Sequence, residues 1–110
     1  MKKIYHSGLE ERWGDFPLVE QMANVGAEVG RTINWKKKEN DEMSTNALYR
    51  ALELIDLTVK DKKNTNSLKE ILRVRETLVD FFAGDNIYKS SNEHWEKYFF
   101  YFNIAARRNK

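Results

Sequence analysis

The chain contains no cysteine. Disulfides, thiolate metal sites and cysteine nucleophiles are therefore excluded together, and a reducing, cytoplasmic compartment is the expectation. One proline (Pro17) and five glycines are too few turn-formers for a β-rich fold, so helices are expected. There are two histidines, His6 and His94, and no Glu-x-x-His, which rules out the usual ligand set of a di-iron bundle. Gly-x-Ser-x-Gly and P-loop patterns are absent, so neither a nucleophile elbow nor a phosphate cradle is present. No apolar run approaches the about 20 residues that cross a bilayer, and Met1-Lys2-Lys3-Ile4-Tyr5-His6 lacks the apolar stretch of a signal peptide. A net charge of +2 is too small to argue by itself for nucleic acid or a membrane surface.

What remains is 41% apolar and 33% charged, a balance that fits one folded domain and not a disordered chain. Residues 1–15 read as an N-terminal extension and 16–110 as a single helical-bundle domain. Pro17 suits a first helical position, with Asp15 or Phe16 as cap. From there Leu18, Met22, Val25, Val29 and Ile33 recur every three or four residues to about Lys36. Beside that stripe lie the small residues Ala23, Gly26, Ala27 and Gly30, while Glu20, Gln21, Asn24, Glu28 and Arg31 take the remaining side. Lys36 to Met43 reads as a charged connection. A second helix from Ser44 or Thr45 to Lys60 carries Leu48, Ala51, Leu52, Ile55 and Val59. Ser67-Leu68-Lys69-Glu70 forms a capping-box pattern for a third helix, with Leu68, Ile71, Leu72, Leu78, Val79 and Phe82 as stripe and Gly84 as its end. Ser90-Ser91-Asn92-Glu93 repeats the pattern for a fourth helix reaching about Arg107. Short connections make consecutive helices antiparallel. The expected fold is all-α, an up-down antiparallel four-helix bundle with an N-terminal extension. Two helical hairpins that complete their core only in a dimer are the alternative.

The fourth helix has an excess of apolar surface. At about 100° per residue, Trp95, Tyr98, Phe99, Phe102 and Ala106 share one side, while Phe100 and Ile104 lie nearly opposite with Tyr101 between. One core absorbs one face. The other is covered either by Ile4, Tyr5, Leu9 and Trp13 of the extension or by a partner, which makes Phe100, Tyr101 and Ile104 candidate interface residues.

Three weaker constellations accompany it. Glu53-x-x-Asp56 places two carboxylates on one helix face, a pattern that suits Mg²⁺, and Glu39-x-x-Glu42 precedes it. Together they resemble the metal site of all-α nucleotide pyrophosphohydrolases of the MazG type. That resemblance implies a metal-dependent hydrolase, although Glu39 and Glu42 fall in a connection where that family has a helix. Arg75 interrupts the third stripe and requires a carboxylate, with Glu28, Glu53, Asp56 and Glu76 as candidates, or else it is an anion-binding residue. Lysines 36–38, Lys60, Lys62 and Lys63, and Arg107, Arg108 and Lys110 form basic clusters at helix ends, where the macrodipole favours them. The last two share one end and offer an RNA-binding alternative.

Leu9-Glu10-Glu11-Arg12-Trp13, Arg50 to Thr58 and Gly84-Asp85-Asn86 resemble a family of small uncharacterised bacterial all-α proteins, a likeness that implies no particular activity. Asn24-Val25-Gly26-Ala27-Glu28-Val29-Gly30-Arg31, followed by Asn46 to Asp56, resembles the four-helix proteins encoded in ribosomal intervening sequences, whose Asn-Ile-Ala-Glu-Gly appears here with an insertion. That likeness implies a bundle and self-association. Related helical nucleases of the HEPN class carry Arg-x4–6-His, which this chain lacks. The sequence thus points to association, with a homo-oligomer or another protein as partner. It assigns no catalytic residue, cofactor or metal ligand beyond the Glu53/Asp56 alternative.

Overall fold

Four helices carry most of the computed structural model, which describes residues 10–108. They are α1 (Leu18–Lys37), α2 (Asp41–Lys60), α3 (Leu68–Ala83) and α4 (Asn92–Arg108). A 3-10 turn at Trp13–Asp15 precedes α1 and another at Lys62–Ser67 leads into α3. No strand occurs among the described residues, and the expected all-α four-helix bundle is the fold observed.

The helix ends depart from expectation in instructive ways. Pro17, with extended backbone, is the cap of α1 and not its first residue, and its carbonyl accepts from the N–H groups of Glu20 and Gln21. The second helix begins earlier than its apolar stripe suggests. Asn40 caps it, its side chain accepting from Met43 N–H at 3.0 Å. The charged connection therefore shrinks to a tight turn, with Glu39 at φ 59° and Glu42 inside the first turn of α2. Ser67 makes no side-chain cap bond, because the preceding 3-10 turn already sets the entry to α3. At α4 the cap is Ser91, whose Oγ accepts from His94 N–H at 3.1 Å.

α1 is the central helix: it packs along both α2 and α4, while α3 packs on α2. The start of α1 meets the end of α2 through Gln21 and Asp61, and its last turn meets the first turns of α4 through Lys37 and Glu96, 3.7 Å apart. α1 therefore runs antiparallel to both neighbours. The close approach of α1 to α4 depends on Gly26, where an added Cβ would lie 2.7 Å from Phe99 Cβ.

The core joins Met22, Val25, Val29 and Ile33 of α1 to Ala51, Leu54 and Ile55 of α2, to Ile71, Val74 and Leu78 of α3, and to Trp95 and Phe99 of α4. The third stripe is rotated from its expected position. Val74 is buried and Leu72 is exposed, because α3 touches the rest of the bundle along a narrow side only. Trp13 also belongs to this core.

Candidate functional site

α4 divides as its sequence implies. Trp95, Phe99 and Ala106 are buried, and Tyr98 and Phe102 pack partly buried against the core. On the opposite side Phe100 is 56% exposed and Tyr101 60% exposed, with Ile104 half-buried. Beside them runs a groove along the α1–α4 seam. One stretch is bounded by Gly30, Ile33, Glu96, Phe100 and Asn103, and the next by Phe16, Ala23, Ala27, Asn103 and Arg107. Asn103 borders both, so the two stretches are continuous. Its floor is shallow because α1 presents Ala23, Ala27 and Gly30 there, and an added Cβ at Gly30 would meet nothing within 4 Å.

The expected internal cover for this face involves Ile4, Tyr5 and Leu9, which lie outside the described residues, as do His6 and Lys110. Trp13 goes elsewhere: its indole N–H donates to Thr58 Oγ1 at 3.1 Å, against α2, and its ring meets Phe16 edge-on at 5.8 Å. The part of the extension that is described thus anchors at the start of α1 and not over Phe100.

Arg75 finds its carboxylate in Asp56, with Nε donating at 2.8 Å and Nη2 at 3.4 Å. Both side chains are about a third exposed, so this is a clamp between α2 and α3 at the bundle surface. Asp56 is thereby engaged on both oxygens, and Glu53 also has an interaction of its own. Among the described residues no group of three or more His, Asp or Glu side chains converges at metal-binding distance. The basic residues near Arg107 and Lys60 do gather at one end, where α2 and α4 both reach the start of α1. Asp61 sits among them, however, and accepts from Lys63 Nζ, which also donates to Gly14 O at 3.2 Å. The Asp61 carboxyl is held below its ordinary value, first by Lys63 and then by the Gln21 amide.

A polar seam between α1 and α2 escaped the sequence reading, which placed Gln21 and Glu28 on the solvent side. Both are buried. Gln21 Nε2 donates to Trp13 O and Asp61 Oδ2, each at 2.9 Å, while its carbonyl accepts from Asn64 Nδ2 at 2.8 Å. The Glu28 carboxylate, 4% exposed, accepts from Arg31 Nη1 at 2.5 Å and Arg50 Nε at 2.9 Å. Thr32 O accepts from Ser44 Oγ at 2.9 Å. These groups satisfy one another, so the seam fixes the α1–α2 register and offers no open coordination. The signal was present in the sequence: residues 21, 25, 28 and 32 repeat at 4-3-4 spacing, a second buried stripe on a helix with two neighbours.

On the other side, α3 and α4 leave a crevice of about 330 Å³ floored by Val74, Trp95 and Tyr98 and rimmed by Glu70, Arg73 and His94. Trp95 Nε1 and Tyr98 Oη are buried without a hydrogen-bond partner. Burial first, and Glu70 second, push the Tyr98 hydroxyl up to about 12. His94 meets the Trp95 ring edge-on at 4.9 Å. Tyr88 also lines this crevice, at an exposed position, and its hydroxyl donates to Glu76 Oε1 at 2.7 Å.

No protein-family model, no curated protein and no solved structure matches the chain. No described helix is long and apolar enough to cross a membrane.

Proposed function

We propose that this protein acts by association, that its docking surface is the outer face of α4, and that its partner is a further copy of the chain. The observation that supports this most directly is that Phe100 and Tyr101, adjacent aromatics on a helix whose other face already fills the core, stay more than half exposed. Large aromatics are the residues that dominate interface energetics once a partner covers them. The neighbouring groove gives that face relief, with a notch above Gly30 beside the Phe100 ring. The likeness to the intervening-sequence four-helix proteins points the same way. Association is favoured over the hydrolase reading because Asp56 is occupied by Arg75. It is favoured over RNA binding because Asp61 interrupts the basic end.

Light scattering with size-exclusion chromatography tests the proposal. The wild-type chain is expected to be oligomeric at micromolar concentration. Phe100→Ala with Tyr101→Ala is expected to cost about 2 kcal/mol or more of association while leaving the helical circular dichroism unchanged. A strictly monomeric wild type refutes it.

A further inference from the structure

Along the line of α4 that passes through Phe100 the charged residues are Glu93 and Arg107, while Glu96 and Lys97, also exposed, flank that line about 40° to one side and about 60° to the other. Taking Phe100 as origin and about 100° per residue, Glu93 and Arg107 both fall within about 20° of its direction, seven positions to either side. Both are exposed. Glu93 lies in the first turn of the helix and Arg107 in the last. At about 1.5 Å per residue, each sits about 10 Å along the axis from the Phe100 ring. A helix marked acid–aromatic–base along one line is complementary to a copy of itself laid antiparallel with the aromatics in register, and not to an in-register parallel copy.

From this juxtaposition we infer that two chains associate about a two-fold axis passing near Phe100, with their α4 helices antiparallel, so that Glu93 of each faces Arg107 of the other and the two Phe100 rings meet at the centre. The inference rests on the association reading above and specifies its geometry. An isologous contact of this kind pairs residue i with j and j with i, so one favourable charge pair occurs twice. A parallel arrangement would set Glu93 on Glu93 and Arg107 on Arg107, which repel. Antiparallel packing also opposes the two helix macrodipoles. The Gly30 notch lies beside Phe100 on the same seam, where an added Cβ would meet nothing within 4 Å, so the centre of the contact has open space beside the paired rings.

Charge reversal on the full chain tests the arrangement, read by sedimentation equilibrium at low ionic strength. Glu93→Arg alone, or Arg107→Glu alone, creates two repulsive pairs per dimer and is expected to raise the dissociation constant about tenfold. An equimolar mixture of the two variants restores both pairs in the heterodimer and is expected to recover wild-type affinity. The doubly reversed chain is expected to do so by itself. All of these positions are exposed, and circular dichroism verifies that each variant keeps its fold. If single reversals leave a wild-type dimer unaffected, Glu93 and Arg107 serve only their own helix dipole; the two-fold geometry is then wrong while association stands. If single reversals weaken the dimer but the mixture does not recover it, the antiparallel pairing is likewise wrong. A wild-type chain that never dimerises overturns both readings.

Discussion

Gly26 and Gly30 lie one turn apart on α1, and the structure gives them opposite roles. In an isolated helix each would cost about 1 kcal/mol relative to alanine. At Gly26 an added Cβ would lie 2.7 Å from Phe99 Cβ and 2.9 Å from Cγ and Cδ1 of the same ring. The nearest of these atoms is fixed to the α4 backbone, so no rotamer change relieves the clash, and α4 must move away from α1. Overpacking of this kind costs typically about 1–3 kcal/mol, which exceeds the helix-propensity gain. Gly26→Ala is therefore expected to destabilise by on the order of 1–2 kcal/mol. At Gly30 a Cβ would meet nothing within 4 Å, so only the propensity gain remains. Gly30→Ala is expected to stabilise the fold by about 0.5–1 kcal/mol. The pair should separate by about 2–3 kcal/mol, or on the order of 10 °C in Tm. Urea denaturation followed at 222 nm at a fixed, low protein concentration measures both. If Gly26→Ala is as stabilising as Gly30→Ala, the α1–α4 contact is not as close as described. If Gly30→Ala destabilises the monomer, the notch is filled from within the chain.

Two further predictions concern polar groups. Tyr98→Phe removes a buried hydroxyl that has no partner, so it is expected to be neutral or stabilising by about 1 kcal/mol; a loss above that would reveal a partner for the hydroxyl. The same variant has a pH signature. Because the folded-state hydroxyl is raised to about 12 from its ordinary 10, the unfolded chain ionises first. Wild-type stability is then complete below pH 10 and falls as pH rises toward 12. Alkaline titration of wild type against Tyr98→Phe should show the slope reduced in the variant, and identical slopes would contradict the burial of the ring. For the α2–α3 clamp, a double-mutant cycle with Arg75→Met and Asp56→Ala is expected to give a coupling of about 0.5–1 kcal/mol, since both side chains are about a third exposed. Zero coupling would place the pair among the surface contacts that contribute nothing.

The legible parts of this protein were those decided by local pattern. Met22, Val25, Val29 and Ile33 announce the inner face of α1 by spacing alone, and all four are buried. The two-sidedness of α4 was legible for the same reason: rotation about a helix axis is fixed by sequence, so Phe100 had to point away from Trp95 and Phe99. Polarity misled at Gln21 and Glu28. A polar residue reads as solvated until it is known that Asn64, Asp61 and Arg50, distant in sequence, arrive to satisfy it. The start of α2 was read late because its first turn, Asp41 to Met43, is polar or exposed, and a cap from Asn40 leaves no trace in apolar periodicity.

By itself the sequence determined that the chain is helical, that cysteine chemistry is absent, and that the last helix carries two apolar faces, because each of these depends only on residue type and on spacing along one segment. The tertiary structure alone decided that α1 is the central helix, that Arg75 pairs with Asp56 out of four carboxylates in contention, that Gly26 is crowded while Gly30 is open, and that Trp13 enters the core beside Thr58. Those outcomes turn on which distant segments come within a few ångströms of each other, and hydrogen bonds, ion pairs and steric contact have no reach beyond that distance.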